Sequence, residues 1–281
     1  MTVLEALRWA EKELKEVPDP RLDGEYLLAE VLGLPRLHML IHKARQLTEE
    51  EMAAYRGLIR RRREREPLQY ILGSQGFMGF SFRTDPRALI PRQDTEAVCE
   101  QALACLRDGM RALDLCTGTG AIAISLKKLC PGAEVAAADI SRDALALARE
   151  NADALGAKVR FLQGDLFAPV AGERFDLIVS NPPYIANALR GRLQPEVERE
   201  PALALFAGAD GLDFYRRIAR EAPEHLNGGG RLVLETGDGQ AQAVGDLLAG
   251  GFGDIRVFRD LSGLERGVIA VKKEGAHGSA V

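Results

Sequence analysis

The 281-residue chain predicts an α/β protein, a doubly wound and mostly parallel sheet preceded by a small helical module. Three observations predict it. From residue 111 onward, short apolar runs with β-branched members alternate with amphipathic stretches of helical length. The first of those runs, Arg111-Ala112-Leu113-Asp114-Leu115, passes through a glycine turn into a helical pattern, the order of a ligand-binding βα unit. Before residue 70, apolar side chains recur at helical spacing instead.

In order, Leu4, Leu7, Ala10 (or Trp9), Leu14 and Val17 form one helical stripe, ended by Pro18-Asp19-Pro20. Leu22, Tyr26, Leu27 (or Leu28), Val31 and Leu32 form a second, closed by Gly33 and Pro35, and a short piece follows at 37–41. Thr48 opens a longer helix, and Glu51 three residues on completes a capping box. That helix carries Arg60-Arg61-Arg62-Arg63 and then Arg65 before Pro67 stops it. Such a charge run reads as a solvated face, the functional alternative being a docking surface for an acidic partner or ribosomal RNA. Residues 70–74 and 76–82 look like strand segments around glycine turns, a hairpin between two modules. Ile90-Pro91-Arg92-Gln93-Asp94-Thr95-Glu96 then opens a helix reaching about Arg107, with Asp94 or Thr95 as its cap.

Strands are expected at 111–115, 134–139, 159–163, 174–180, 230–235, 254–260 and 267–271. Helices fall at 120–129, 142–155, 212 to about 226, and 240–249. The short link 261–266 makes the last strand antiparallel to its neighbour. The small, polar tail 274–281 is expected to fray.

Composition excludes several classes. With 46% apolar and 28% charged residues the chain can build a full core, and a net charge of −4 argues against a mainly electrostatic nucleic-acid binder. No apolar run reaches membrane-span length and the N-terminus has no signal-like segment, so a cytoplasmic protein is expected. Cys99, Cys105, Cys116 and Cys130 have neither zinc-ligand spacing nor partnering histidines, and are expected to be reduced and buried, with no metal. His38, His42, His225 and His277 are scattered and read as structural or exposed.

Function concentrates in Ser180-Asn181-Pro182-Pro183-Tyr184-Ile185, which follows the run Phe175-Asp176-Leu177-Ile178-Val179 and so sits at the carboxyl end of a strand. The two prolines fix φ and offer no N–H, and Asn181, preceding a proline, is driven to an extended conformation. Such a turn suits activation of a planar –NH2, whose lone pair is delocalised. The Asn181 side-chain oxygen and the Pro182 carbonyl can each accept one of its hydrogens, bonds that strengthen as the nitrogen becomes positive under attack. Tyr184 offers a flat face beside it.

Gly118-x-Gly120-x-x-Ala123 meets the dinucleotide fingerprint, Asp139 ends the next strand where it can accept from ribose hydroxyls, and Gln163-Gly164-Asp165-Leu166-Phe167 can flank an adenine ring. A nicotinamide cofactor and S-adenosylmethionine both fit this half-site. The strand-four turn decides between them, because it carries no His or Lys for hydride chemistry, whereas methyl transfer from a sulfonium is mainly a positioning problem.

These residues resemble the HemK/PrmC protein methyltransferases, which methylate the glutamine amide of peptide chain release factors. The resemblance runs nearly end to end: Arg65-Glu66-Pro67-Leu68, Ile90-Pro91-Arg92-x-Asp94-Thr95-Glu96, Leu113-Asp114-Leu115-x-Thr117-Gly118-Thr119-Gly120, Asn181-Pro182-Pro183-Tyr184-Ile185, Glu200-Pro201, Asp210-Gly211-Leu212, Leu234-Glu235 and Asp260-Leu261-Ser262-Gly263. It implies a Rossmann-like class I S-adenosylmethionine-dependent methyltransferase with a seven-stranded, mostly parallel sheet and a small N-terminal helical domain. It implies a substrate-docking domain at 1–70, a hairpin linker at 71–90 and a catalytic domain at 91–281. Cys116, Thr117, Gly118, Thr119, Gly120, Asp139, Asp165, Leu166 and Asn181 would hold S-adenosylmethionine, released as S-adenosylhomocysteine. Asn181, Pro182 and Tyr184 would be catalytic, and with Pro183 would bind the glutamine of a Gly-Gly-Gln loop in class 1 release factors. No membrane partner is implied, and nucleic acid is not expected as substrate.

Two positions depart from the family pattern. Cys116 replaces a glycine, which leaves the turn intact if its φ is negative, and Gln93 replaces a proline, which is expected to loosen the entry loop. Two other readings compete. A DNA adenine amino-methyltransferase would use the same turn, but no separate base-recognition domain is evident. A non-catalytic binding module would keep the fold, against which stand an intact cofactor loop and an intact activating turn.

Overall fold

The computed structural model describes residues Met1–Gly275; the rest of the tail, with His277, lies outside the described residues. The chain forms two compact units, Met1–Ser74 with Gln194–Arg199, and Gln75–Leu193 with the chain from Glu200 onward.

The first unit is helical: α1 (Val3–Glu13), α2 (Pro20–Leu32), α3 (Arg36–Ile41), α4 (Glu49–Arg63) and α5 (Leu68–Leu72). The capping box at Thr48 and Glu51 is formed as the sequence predicts, and Thr2 with Glu5 makes another on α1. Gly33, in the left-handed region, ends α2. The buried faces differ from the expected stripes. On α1 they are Val3, Ala6 and Ala10 rather than Leu4 and Leu7, because small side chains let helices approach closely. On α2, Leu22 and Tyr26 stay exposed while Gly24 is buried, its carbonyl accepting from the Tyr55 hydroxyl at 2.9 Å.

The basic run on α4 is not simply a solvated face. Arg62 is buried and pairs with Asp23 at 2.6 Å and Glu196 at 2.8 Å, while Arg61 pairs with Glu66 and Arg63 with Glu13. A buried guanidinium needs such partners, because desolvating an unpaired charge is costly.

A hairpin follows in the chain, β1 (Ser74–Phe77) and β2 (Phe80–Arg83). Its turn residues Met78 and Gly79 both have positive φ (49° and 79°), as a two-residue type I′ turn requires. Residues 70–72, expected as strand, are helical within α5. Pro67 starts the turn, its carbonyl accepting from Tyr70 and Ile71, and Gly73 in the left-handed region ends it.

There follow α6 (Asp94–Cys105), β3 (Arg111–Leu115), α7 (Ala121–Leu129), β4 (Glu134–Asp139), α8 (Arg142–Leu155), β5 (Arg160–Gln163), β6 (Phe175–Ser180), α9 (Asp213–Glu221), β7 (Leu226–Glu235), α10 (Ala241–Leu248), β8 (Phe252–Arg259) and β9 (Glu265–Lys272). The seven-stranded sheet has the order β5-β4-β3-β6-β7-β9-β8, and β9 runs antiparallel to both its neighbours, as the short link before it predicts. Pro223 cuts α9 short of the expected end and lets β7 begin early, at Leu226.

Alternating residues of the central strands feed two cores. Leu113, Leu115 and Ile178 pack on the side of Tyr215 and Val244, whereas Ala112, Leu177 and Val179 pack on the side of Ile122 and Ile124. The chain leaves β3 toward β4 on one side and returns to β6 on the other, so the switch point of the sheet lies between β3 and β6. Their register pairs Leu115 with Ser180, which brings the turns starting at Cys116 and at Asn181 side by side.

Candidate active site

The turn after β3 is built on two carboxylates. Asp114, buried in the sheet, accepts from the Thr117 hydroxyl (2.6 Å) and the Ala123 amide (3.2 Å) through one oxygen, and its other oxygen has no partner. Burial pushes its carboxyl up to about 7. Asp139 accepts from the Gly118 amide (2.9 Å) through one oxygen and from the Ser141 amide (2.8 Å) through the other. Burial raises its pKa, and these backbone donors oppose the rise. Ser141 caps α8 by accepting from Ala144, so Asp139 is free of that duty. Cys116 has φ 58°, not the negative value expected, yet the turn is intact because the Thr117 amide still reaches the Ala138 carbonyl at 3.1 Å. Left-handed backbone at a non-glycine residue costs roughly 1–2 kcal/mol.

A pocket of about 190 Å³ opens over this turn. Of the expected cofactor residues, Cys116, Gly118, Asp139, Asp165, Leu166 and Asn181 line it. Thr117, Thr119 and Gly120 instead form the frame of the loop. The Thr117 hydroxyl goes to Asp114, the Thr119 carbonyl accepts from Asn151, and a Cβ on Gly120 would meet Ile124 at 2.8 Å. Asp165 is exposed at the rim and paired with Arg217 at 2.8 Å.

The walls also include Ile140, Leu203 and Phe214, which sequence reasoning missed. Half-exposed Ile140 follows Asp139 directly and was findable; Leu203 and Phe214 arrive from distant chain with no local signal. These residues fit S-adenosylmethionine. Each Asp139 oxygen keeps lone-pair capacity beyond its single backbone donor, suiting a ribose diol. A Cβ on Gly118 would meet nothing within 4 Å, so the backbone there lies open to a ligand, and the apolar walls suit an adenine.

The turn after β6 completes the site. Ser180 donates to the Leu115 carbonyl at 2.7 Å, joining the two turns. Asn181 faces the pocket and donates from its Nδ2 to the Thr95 hydroxyl oxygen at 3.3 Å. Pro182 is buried, and Pro183 is buried against the pocket. Tyr184 is absent from the pocket lining. Its ring packs beside the core, burial pushes its phenol up to about 12, and its carbonyl accepts from Gln240 at 3.0 Å.

The segment before α6 ties the site together. Arg92 pairs with Glu200, Glu200 accepts the Ile90 amide at 2.9 Å, and Glu96 accepts the Met78 amide at 2.6 Å. Asp94 meets Arg266 at 3.1 Å, and Arg266 also holds Asp260. The expected loosening at Gln93 is not seen: its φ of −61° is the one a proline would impose, and its carbonyl accepts from Glu96.

A doubly wound sheet with an acidic residue ending β4 and an Asn-Pro-Pro-Tyr turn ending β6 defines a Rossmann-like methyltransferase. The comparisons agree. Residues 98–194 match the methyltransferase small domain and residues 5–73 the PrmC N-terminal domain. A release factor glutamine methyltransferase of Geobacter sulfurreducens is 47% identical, the match covering 94% of this chain and 95% of the relative. One of Chlorobaculum tepidum is 44% identical over 90% and 91%. A methyltransferase structure from Pyrococcus furiosus, 21% identical, shares the fold with a TM-score of 0.54 over 69% of this chain and 89% of that one. The chain belongs to the release factor glutamine methyltransferase family.

Proposed function

We propose that this protein transfers a methyl group from S-adenosylmethionine to the side-chain amide nitrogen of the glutamine in the Gly-Gly-Gln loop of class 1 peptide chain release factors, in the cytoplasm. The observation that carries the reading is the placement of Asn181. It stands at the carboxyl end of β6, in the wall of the pocket over Asp139, with its amide nitrogen turned toward Thr95. That leaves the Asn181 oxygen as the acceptor for an incoming –NH2.

When bound, the cofactor supplies an electrophilic methyl group. The chain's residues do the rest. Asp139 takes the ribose, the turn from Cys116 to Gly120 carries backbone close to the ligand, and Leu166 with Ile140 flanks the base. Asn181 and the Pro182 carbonyl take the two amide hydrogens and favour the pyramidal, positive nitrogen over the planar one. Tyr184 acts through packing, holding the turn rather than stacking on the substrate, and Pro182 and Pro183 keep it stiff.

The helical unit docks the body of the release factor, a role suited to the exposed apolar side chains Leu37 and Ile41 on α3 and Tyr26 on α2. No helix among the described residues is long and apolar enough to cross a membrane.

Incubation with labelled S-adenosylmethionine tests the proposal, with a release factor, the same factor carrying alanine for the loop glutamine, and duplex DNA as separate acceptors. Label on the first alone is expected. Label on DNA would favour the adenine-methylating reading, and absent cofactor binding would favour a non-catalytic module.

A further inference from the structure

Glu235 ends β7 with its side chain 2% exposed and one oxygen, Oε2, without a hydrogen-bond partner. Nothing in the amide-binding turn itself requires a buried carboxylate there. Register explains where it points. Ser180 pairs with Leu234 in adjacent parallel strands, so Asn181 and Glu235 are the next residues of each and stand side by side. Thr95, on the first turn of α6 and buried, accepts from Asn181 Nδ2 at 3.3 Å, and its hydroxyl lowers the pKa of the Glu235 carboxylate.

We propose that Thr95 gives its hydroxyl proton to Glu235, and that the two are positioning residues that fix which way round the Asn181 amide is held. The inference rests on the amide-methylating reading above. An ionised carboxylate only accepts hydrogen bonds, and a threonine hydroxyl has one proton to give. With that proton committed to Glu235, the Thr95 oxygen can only accept. Asn181 must therefore offer it the –NH2 end and turn Oδ1 to the substrate. Without the carboxylate, Thr95 could donate to Asn181 Oδ1 instead. The amide would then present –NH2 to the target –NH2, donor against donor, and activation would fail.

Burial holds Glu235 up at about 7. Arg266 from β9 and Arg92 from the loop before α6 lower it, Asp94 on α6 raises it, and Tyr184 and Tyr215 face it. Tyr215 donates to the Glu235 main-chain carbonyl at 2.9 Å, not to its carboxylate. Protonated Glu235 can itself donate to Thr95, which removes the polarity of the chain.

Single-turnover methylation of a Gly-Gly-Gln release factor, with cofactor affinity and KM measured in parallel, tests this. Thr95→Val and Glu235→Gln are each expected to lower kcat about tenfold, the scale of one buried hydrogen bond, with KM and cofactor affinity near parent. Thr95→Ser, which keeps the hydroxyl, should restore most of the rate. The parent kcat should fall as pH drops from about 8 to about 6, and Glu235→Gln should lack that fall. Parent-like kcat in Thr95→Val, or an unchanged acid limb in Glu235→Gln, overturns the inference. If either variant fails to fold, a flat parent profile across that range overturns it alone. A parent enzyme that methylates no release factor would instead refute the function, which separates the two failures.

Discussion

Asp139→Ala tests the cofactor side of the site, and the structure sets two separate magnitudes for it. The Asp139 carboxylate has one backbone donor on each oxygen, Gly118 at 2.9 Å and Ser141 at 2.8 Å, and faces the pocket with its remaining capacity. Losing charge-assisted bonds from a ribose should weaken S-adenosylmethionine binding by ~1.5–3 kcal/mol, or roughly 10- to 150-fold. The same change strips the Gly118 and Ser141 amides of their acceptor. Both residues are partly exposed, so water replaces much of what is lost, and the apo fold should lose only about 1 kcal/mol, or roughly 2–4 °C in Tm. Asp139→Asn separates the two effects. It keeps an oxygen for one amide and the shape of the side chain, so Tm should stay near parent while cofactor affinity still falls. Calorimetric titration with S-adenosylmethionine and thermal unfolding of the apo protein read them independently. A folded Asp139→Ala variant with parent affinity would remove Asp139 from the binding site, whatever its Tm.

Asn181→Ala should lower kcat by roughly a hundredfold to a thousandfold with cofactor affinity nearly unchanged, since it removes one transition-state acceptor; full turnover in single-turnover assays would sink the mechanism. Arg62→Ala leaves buried Asp23 without its cation and Glu196 with Arg65 alone, and should cost ~3 kcal/mol or more, whereas Arg60→Glu on the exposed side of α4 should stay within about 0.5 kcal/mol. Equal losses in denaturant titration would contradict the buried-pair account. Asp114 is raised to about 7 in the fold, so its stabilising contribution is present at low pH and lost as pH rises through about 7. Asp114→Asn, which does not titrate, should therefore gain Tm relative to the parent between about pH 5 and about pH 8, and a constant gap would count against the assignment.

Legible from the residues alone is the local and periodic part of this protein. Strands β3 to β9 lie within a few residues of their expected positions, because alternating burial and the glycines and prolines between them are local properties. The Thr48 cap, the place of Asn181 at a strand end and that of Asp139 at another were legible for the same reason. The Asn-Pro-Pro-Tyr turn and the segments around it carried the family as well.

Tertiary structure decided whatever depends on partners far apart in the chain. Arg62 sits in a run that looks solvated, and only Asp23 and Glu196, brought from distant segments, make it a core residue. Cys116 takes a left-handed φ in the turn between β3 and α7, where the next amide, Thr117, bonds the Ala138 carbonyl of β4 at 3.1 Å. The bond from Asn181 to Thr95 spans 86 positions, and Glu235 reaches them only through the pairing of β6 with β7. Periodicity records which face of an element is buried, but it holds no trace of which distant side chain will meet that face. The bond from Asn181 to Thr95, with Glu235 set beside it by the register, therefore exists only once the sheet has closed around it.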